Sequence, residues 1–582
     1  MEQQLSSTIT LGNGENTTVT NDITAPTGQP AVDITGNRGS VTVAGGGSVS
    51  APDDGNSAIV SSGNGVSITN RGDISGAFNG ITSSGNGFNL NNSRAGTISS
   101  DSRAVDITDG DNINVANAGT ILGTGDQRNG TLYVDGTVDN FSLINQRSGT
   151  IDAGAGNTGD GFSVQVGAEG DPSSTNINAI NAGTIAGRGE AAFAPGEGRL
   201  TANGSSGVRF FNGSGAEEAE VVSFFTNRGS ITSETTSGFL GGFVVEDGVA
   251  YQGQITNSGL ISGPQNGLYF GDADHQAVIV NQGQGRIESG SRAVNLDGDD
   301  IVLRNSADIV GTGDQRNGTI YVDGTGDDIR IVNQSPGVID AGVGNSGSGV
   351  SVQVGAAGGL SDGSDDLETS TDIVNSGLIQ GRGSGNVPVG VRLFVGSGLE
   401  TSTFSGEIIN RSNGTITSEQ SAGILIEEGV IFDGRIRNAG TISGGNGLAV
   451  DASGAFGDID FVNRSSGDLE GAVILGEGDD TFVNRNNADL DITGGGGDDV
   501  LTGGSGATTF RFDSGSGDDT IRDFQINQDV IDVGSYFGGA GGALDAATQV
   551  GNNTLITFDD DNSLTLSGVQ ASSLTENNFT VA

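Results

Sequence analysis

The sequence contains no cysteine and no tryptophan, and only one methionine and one histidine. It also contains no lysine, so all 24 basic residues are arginine, against 72 acidic residues and a net charge of -48. This charge disfavours nucleic acids, whose binding needs a positively charged face, and it disfavours anionic membranes. The lack of cysteine removes one class of catalytic nucleophile. Cysteine-free acidic chains rich in Gly, Asn, Asp and Thr are typical of exported bacterial proteins.

Long apolar segments are missing as well. The first residues, MEQQLSST, show no cationic stretch followed by an apolar run, which predicts that an amino-terminal signal peptide is absent if Met1 is the native start. No segment approaches the length of a transmembrane helix. We therefore expect a soluble chain without a membrane span, in which any export signal lies elsewhere.

A short phrase recurs through the sequence: an Asn, a short turn that usually contains Gly, and an Ile or Leu that begins a strand. Clear copies begin at Asn70, Asn117, Asn181, Asn227, Asn257, Asn375 and Asn438, and looser copies at Asn145, Asn281, Asn305, Asn333, Asn410, Asn463 and Asn484. Many spacings fall between 21 and 30 residues. This period predicts an all-β, right-handed parallel β-helix, a solenoid with one coil per repeat. The Asn side chains either form a hydrogen-bonded ladder at one corner or act as turn formers that tolerate positive φ.

A longer repeat overlies the coils. Residues 123–136, GTGDQRNGTLYVDG, return almost unchanged at residues 311–324, and SVQVGA at 163–168 returns at 351–356 with the same shift of 188. We interpret this as a tandem duplication of a block of several coils, about 102–270 and 291–450. The duplication lies within a predicted β-helix domain at residues 1–470.

Calcium-type turns follow this domain. Residues 494–502, GGGGDDVLT, fit the nonapeptide G-G-x-G-x-D-x-U-x, and related turns lie at 476–482 and 515–521. A Gly-rich turn lets backbone carbonyls and an Asp carboxylate converge on a hard cation, so the pattern predicts Ca²⁺. The predicted metal site comprises Gly476, Gly478, Asp480, Gly495, Gly497, Asp499, Gly515, Gly517 and Asp519.

The three turns are spaced by about one coil, which predicts that they stack on one edge and share calcium. The opposite edge has Thr508 where the nonapeptide has Asp, so we expect that edge to be weaker or empty. The alternative interpretation is that Gly-Asp turns cap the coils without any metal.

The tail resembles the carboxy-terminal region of RTX proteins, including the serralysin-type β-roll exported by bacterial type I systems. The motifs that carry the resemblance are DDTIRDF at 518–524, DVIDV at 529–533, TLITF at 554–558 and LTENNFTVA at 574–582. The resemblance implies a calcium-binding β-roll with an uncleaved type I secretion signal at residues 471–582. It also implies a protein that is secreted to the extracellular space or the bacterial cell surface. Unlike long RTX arrays, this chain has one complete nonapeptide.

Residues 1–470 resemble the parallel β-helix passengers of surface proteins and adhesins. The expected function is a structural or adhesive component of a bacterial surface, filament, layer or matrix. An uncapped first coil predicts a homo-oligomer or polymer. Cell-surface polysaccharide is a further expected partner.

Two alternatives remain open. One is a secreted carbohydrate-active enzyme, for which the single histidine, His275, is the candidate acid or base, although we interpret it as a solvent-facing loop residue. The other is a monomeric adhesin that binds sugar through insertions at 186–222 and 381–408. In these insertions the pairs Arg209/Phe210 and Arg392/Phe394 are the candidate contacts.

Overall fold

The computed structural model of the chain describes residues 7–53, 55–125, 130–167, 175–189, 205–213, 218–234, 241–314, 318–324, 326–356, 367–385, 387–534 and 536–581. Strands hold 53% of the structure and helices 2%, and the strands stack in parallel. The predicted all-β parallel β-helix is therefore confirmed. The chain divides into two compact units, Met1–Ile301 and Val302–Ala582.

Strands of the first unit follow one another in threes, one strand per coil in each of three parallel sheets. The first sheet begins with β1 and the second and third with β2 and β3, and each sheet takes every third strand thereafter. The strands are β1 (Ile9–Leu11), β2 (Asn16–Val19), β3 (Ile23–Thr24), β4 (Val32–Ile34), β5 (Ser40–Val43), β6 (Ser48–Ala51), β7 (Ile59–Ser61), β8 (Ser67–Asn70), β9 (Asp73–Gly76), β10 (Asn79–Ser83), β11 (Asn89–Asn92), β12 (Thr97–Ser100), β13 (Arg103–Ile107), β14 (Ile113–Asn117), β15 (Thr120–Gly123), β16 (Leu132–Val134), β17 (Phe141–Asn145), β18 (Thr150–Asp152), β19 (Phe162–Val166), β20 (Thr175–Asn181), β21 (Thr184–Ala186), β22 (Val208–Asn212), β23 (Ala219–Asn227), β24 (Ser230–Thr232), β25 (Gly241–Val245), β26 (Val249–Asn257), β27 (Leu260–Gly263), β28 (Asn266–Phe270), β29 (Asp274–Asn281), β30 (Arg286–Ser289) and β31 (Arg292–Leu296).

The recurring phrase builds both the core and a corner of each coil. Its Ile residues stack inward in the third sheet of the first unit and are fully buried: Ile74, Ile98, Ile121, Ile151, Ile185, Ile231, Ile261 and Ile287. Its glycine allows the coils to approach closely, since a Cβ at Gly183 would lie 2.1 Å from the Gly149 carbonyl oxygen.

The Asn residues form a continuous buried ladder in the first unit. Each side-chain amide donates to the Oδ1 of the next Asn at 2.8–2.9 Å. The members are Asn70, Asn92, Asn117, Asn145, Asn181, Asn227, Asn257 and Asn281. The predicted hydrogen-bonded ladder is confirmed. The alternative based on positive φ is wrong, because none of these Asn residues has a positive φ.

The second unit has its own ladder, with every step at 2.9 Å. It runs through Asn305, Asn333, Asn375, Asn410, Asn438, Asn463 and Asn484. The boundary between the units falls within the first strand of the next series. The strands are β32 (Asp299–Asn305), β33 (Asp308–Gly311), β34 (Gly318–Val322), β35 (Ile329–Asn333), β36 (Val338–Asp340), β37 (Ser348–Val354), β38 (Glu368–Asn375), β39 (Leu378–Gly381), β40 (Val391–Val395), β41 (Ser402–Asn410), β42 (Thr415–Ser418), β43 (Ile424–Ile426), β44 (Val430–Asn438), β45 (Thr441–Asp451), β46 (Asp460–Asn463), β47 (Asp468–Ile474), β48 (Thr481–Asn484), β49 (Leu490–Thr493), β50 (Val500–Thr502), β51 (Thr508–Arg511), β52 (Asp518–Ile521), β53 (Val530–Asp532), β54 (Ala547–Val550), β55 (Asn553–Thr557), β56 (Ser563–Leu566) and β57 (Phe579–Thr580).

The coil changes from three strands to two within the second unit. Strand β45 is long enough to pair with β42 through its beginning and with β43 through its end, which merges two sheets. From β48 onward each coil holds two strands, and Thr481 pairs with Val500, which pairs with Thr520. The parallel stack therefore continues past residue 470. The domain boundary at 471 and the right-handed winding stay predictions.

The last two-strand coil is covered by elements of a different kind. Strand β52 pairs with β56, which continues into the antiparallel strands β55 and β54, while β53 pairs with β57. A short helix, α1 (Ala540–Ala546), and two 3₁₀ turns, Ala571–Ser573 and Glu576–Asn578, complete this end. None of the helices in the described part of the chain has the length and hydropathy to cross a membrane.

Candidate metal site in the two-strand coils

The three predicted calcium-type turns stack in the second unit. They precede β48, β50 and β52, which pair in parallel. The Asp residues at their inner positions, Asp480, Asp499 and Asp519, are each at most 1% exposed. The structure thus brings the predicted turns together on one edge, as the spacing predicts.

These carboxylates form a ladder along the edge. The backbone N–H of Asp480 donates to Oδ1 of Asp499 at 2.8 Å, and the N–H of Asp499 donates to Oδ1 of Asp519 at 3.0 Å. Asp480 accepts from the N–H of Ile459 at 2.6 Å and, through its second oxygen, from the N–H of Gly476 at 3.0 Å. Each carboxylate therefore binds the backbone of the preceding coil.

Two carboxylate oxygens of the ladder lack a hydrogen-bond partner. Oδ2 of Asp499 and Oδ2 of Asp519 are buried and have no hydrogen-bond partner of ordinary geometry. The Ser516 hydroxyl lies close enough to Asp519 to lower its pKa. A buried carboxylate oxygen without a donor destabilises the fold unless a proton or a cation reaches it.

The pKa values of the ladder carboxyls also indicate that a negative charge is unfavourable at this edge. Burial, together with the neighbouring carboxylates of Asp519, Asp480 and Asp479, raises the pKa of Asp499 to about 9, against the opposing effect of the hydrogen bond from the Asp480 N–H. Burial also raises the pKa of Asp480 and of Asp519 to about 7, against the opposing effect of their backbone hydrogen bonds. Without a counter-charge, the buried carboxyl of Asp499 therefore favours its protonated form near neutral pH.

The predicted glycines place carbonyl oxygens beside the same edge. A Cβ at Gly495, where φ is +108°, would lie 1.9 Å from the carbonyl oxygen of Gly476. A Cβ at Gly497 would lie 2.4 Å from the carbonyl oxygen of Gly478, and one at Gly517 would lie 2.3 Å from that of Gly497. Glycine at these positions lets the turns of successive coils approach through their carbonyls.

The third turn differs from the first two. A Cβ at Gly515 would meet nothing within 4 Å. The backbone N–H of Gly515 donates instead to the hydroxyl of Tyr536 at 3.0 Å, and that hydroxyl donates to the carbonyl oxygen of Asp513 at 2.6 Å. A tyrosine from the tail region thus covers the last turn of the stack.

A second, exposed ladder runs beside the buried one and was not predicted. The backbone N–H groups of Asp518, Asp498 and Asp479 donate to the carboxylates of Asp498, Asp479 and Asp458 at 2.8–2.9 Å. The signal in the sequence is the doubled Asp of each Gly-Asp-Asp turn, whose second member turns inward and whose first stays at the surface.

On the opposite edge, carboxylates bind only backbone N–H groups. Asp523 accepts from the N–H groups of Gly503 and Gly504, both at 2.8 Å. Asp529 accepts from the N–H of Thr508 at 3.0 Å and from that of Gln525 at 2.7 Å. Both oxygens of each carboxylate are satisfied, which distinguishes this edge from the one with unpaired oxygens. The expectation that it holds less calcium stays a prediction.

The interpretation of His275 as a solvent-facing loop residue is wrong. Its ring is fully buried at the start of β29 and contacts Phe270 edge to face. Nδ1 accepts from the backbone N–H of Tyr251 at 3.1 Å, and Nε2 lies 2.9 Å from the Gly271 carbonyl oxygen, which assigns the proton to Nε2. Burial lowers the pKa of His275 to about 4.

The expectation that Arg209 and Phe210 offer surface contacts is also wrong. Phe210 points into the core, and Arg209 is 4% exposed. The Arg209 guanidinium stacks 4.6 Å from the centre of the Phe211 ring and pairs with Glu246 at 2.6 Å and Asp160 at 3.4 Å. Alternation along β22 places one side chain in the core, and the ion pairs hold the other against the sheet.

In the second unit, Arg392 repeats this stacking 4.0 Å from the Phe394 ring centre and pairs with Glu427 at 2.7 Å. Arg392 and Phe394 are half-buried. Of the two proposed insertions, residues 190–204, 214–217 and 386 lie outside the described residues.

The residues of the inner edge fit a hard cation. The two carboxylate oxygens and the Gly carbonyls of the same stacked turns are the donor types that calcium prefers. Within the described ranges, no three carboxylate or imidazole side chains converge closely enough to hold a metal by themselves. The remaining ligands would therefore be backbone carbonyls or water, which calcium accepts. The chain matches none of the protein-family models, and no curated protein is significantly similar to it in sequence.

Proposed function

We propose that this chain is a secreted, calcium-stabilised structural or adhesive protein of a bacterial surface, filament, layer or matrix. The observation that carries the proposal is the pair of buried, unpaired oxygens on Asp499 and Asp519. Bound calcium would supply positive charge to these carboxylates. The residues that would hold it are Asp499 and Asp519, together with backbone carbonyls of the same stacked turns, those of Gly476, Gly478 and Gly497.

This chemistry supports an exported protein. Where calcium is scarce, the buried carboxylates oppose closure of the coils, and where calcium is abundant its binding energy becomes folding energy. Two-strand coils that close only in the second environment stay open during export. The motifs of the tail support export through a type I system, with the signal in residues 471–582.

The repeated architecture supports a structural or adhesive role. An Asn ladder and a stack of buried aliphatic side chains hold each unit, and a bidentate ion pair recurs in the duplicated blocks. Arg188 binds Asp152 through Nε at 2.8 Å and Nη2 at 2.7 Å, and Arg382 binds Asp340 through Nε at 2.5 Å and Nη2 at 2.9 Å. Duplication of such blocks lengthens the rigid scaffold and repeats the surface that it exposes.

The residue singled out for the enzyme alternative is His275. Because this ring is buried and hydrogen-bonded through both nitrogens, it offers no acid or base to a bound sugar. We therefore do not carry catalysis forward as a second candidate.

The proposed assembly is tested by refolding the full chain from denaturant in millimolar calcium or in chelator, followed by sedimentation and negative-stain microscopy. We expect ordered filaments or sheets only with calcium. A compact monomer in calcium would reject self-assembly as the function, and the same assemblies in chelator would reject the role of calcium.

A further inference from the structure

The second sheet of the first unit carries two long rows of uncharged side chains. On each of its strands β8, β11, β14, β17, β20, β23, β26 and β29, the residues one and three positions before the ladder Asn point outward. We call these two rows the neutral strip. None of its residues is charged, although 16% of the chain is.

The second unit provides an internal comparison. The same positions before its seven ladder asparagines carry charged residues on about half of the sites. Several of them pair across strands, as Arg330 with Asp372 at 3.2 Å and Arg435 with Asp460 at 3.4 Å. The uncharged strip is therefore a property of the first unit and not a requirement of the coil.

The centre of the neutral strip holds two exposed apolar side chains, with amides beside one of them. Phe224 is 57% exposed and Ile144 is 44% exposed. In register with Phe224 lie Asn178 on one side and Gln254 on the other, both exposed. Exposed apolar groups with a polar border mark interaction sites on soluble proteins.

The length and width of the strip indicate what kind of partner can bind to it. Eight strands at about 4.8 Å spacing span about 34 Å, and the two rows lie about 7 Å apart. A strip about 10 Å wide offers about 340 Å², which is well below the roughly 800 Å² per partner of a stable protein complex. The strip is too narrow for a second copy of this chain and suits a single extended polymer.

The charge of the chain and the side chains of the strip indicate which class of polymer binds. A net charge of -48 repels polyanions. The phenyl ring of Phe224 matches the C–H face of a sugar ring, and the Asn, Gln, Thr and Ser side chains match its hydroxyl groups as donors and acceptors. We propose that the neutral strip binds an extended, uncharged polysaccharide. The proposal specifies a partner for the adhesive part of the proposed function, and it depends neither on calcium binding nor on self-assembly.

The test is co-sedimentation of the full chain, folded in millimolar calcium, with microcrystalline cellulose and with chitin, and affinity electrophoresis in alginate. The variants are Phe224→Ala, which removes the ring, and Gln254→Glu, which adds charge at an exposed position and keeps the ring. The matched control is Phe456→Ala, a 38% exposed aromatic of the second unit. Circular dichroism establishes that each variant is folded.

We expect wild type and Phe456→Ala to bind cellulose or chitin equally and to ignore alginate. Phe224→Ala should bind about tenfold more weakly, with a smaller loss for Gln254→Glu. The proposal is overturned if folded wild type binds neither solid, if both strip variants bind like wild type, or if alginate binds best. It is also overturned if Phe224→Ala abolishes self-association while no polysaccharide binds, since the occupant is then a second copy. Failure of calcium to stabilise the fold would reject the proposed function while leaving polysaccharide binding intact.

Discussion

The buried Oδ2 of Asp499 distinguishes two explanations of the stacked Asp turns, namely capping of the coils without metal and binding of calcium. If the turns only cap the coils, every buried oxygen should accept a hydrogen bond, as those of Asp523 and Asp529 do. Oδ2 of Asp499 accepts none, and that of Asp519 has only the Ser516 hydroxyl close by. The stability of these turns therefore depends on whether a proton or a calcium ion neutralises these two carboxylates.

Replacing Asp499 with Asn should change stability in opposite directions with and without calcium. In chelator near pH 7 the variant should be more stable by about 2 kcal/mol, because an amide needs no proton there, whereas the buried Asp499 carboxyl, whose pKa burial raises to about 9, must take one up on folding. In millimolar calcium it should lose most of the stabilisation that wild type gains. Thermal unfolding in both conditions measures this effect, with the exposed residue Asp491 changed to Asn as the control. Equal calcium stabilisation of wild type and variant would contradict the assignment.

His275 predicts a loss of stability in acid. Burial lowers its pKa from the usual 6.5 to about 4, so the folded state favours the neutral ring. The stabilising contribution is fully present above pH 6.5 and is lost as the pH falls through about 4. The advantage of wild type over His275→Gln in melting temperature should therefore shrink between pH 7 and pH 4. An advantage that stays constant over this range would show that the ring does not titrate as described.

At the scale of structural elements, the Asn ladder connects each coil to the next. Asn227 accepts from Asn181 at 2.9 Å, donates to Oδ1 of Asn257 at 2.8 Å, and donates to the Leu260 carbonyl oxygen at 2.9 Å. One truncation in the middle of the ladder leaves several buried groups without partners.

Asn227→Ala should lower the free energy of unfolding by about 3 kcal/mol, because the neighbouring buried amides lose their partners and cannot reach water. The matched control is Asn178→Ala, an exposed Asn on the neighbouring strand β20, which should change stability by less than about 0.5 kcal/mol. Denaturant unfolding measures both variants. Similar small effects for the two would mean that the ladder accompanies the fold without stabilising it.

The fold was predictable because one phrase carries three physical roles. Its Asn supplies the ladder, its Gly allows close approach of the coils, and its Ile fills the core. Asn92, which is not among the copies named from the sequence, also takes a ladder position, and its stretch NSRAGTI at 92–98 matches the looser copy NQRSGTI at 145–151. The stacking of the three Asp turns was equally predictable, since their spacing of 19 and 20 residues equals one two-strand coil.

Other features depend on which face a side chain occupies, and composition does not reveal this. His275 lies in a Gly-Asp stretch typical of a loop, yet it begins β29 and faces inward. Arg209 is charged, yet Phe211, Glu246 and Asp160 hold it against the sheet. The neutral strip likewise becomes visible only when strands distant in sequence are aligned in register.

At the scale of the whole molecule, the two units should respond differently to calcium. The candidate metal residues all belong to the second unit, whereas the first unit is held by its own ladder and core. Adding chelator should therefore raise amide hydrogen exchange across residues 476–521 and leave the strands of the first unit unchanged. Hydrogen exchange with mass spectrometry measures this difference. Uniform deprotection of the chain, or none in the two-strand coils, would contradict a local role for the metal.

The most direct test of the account is isothermal titration of calcium into the chelator-treated, dialysed full chain, alongside the double variant Asp499→Asn/Asp519→Asn. We predict that wild type binds at least one ion with a Kd of about 10⁻³ M or tighter, as extracellular calcium modules do, and that the double variant loses this binding. No saturable binding by the folded wild-type chain, or binding that the double variant retains, would contradict the claim that calcium stabilises this protein.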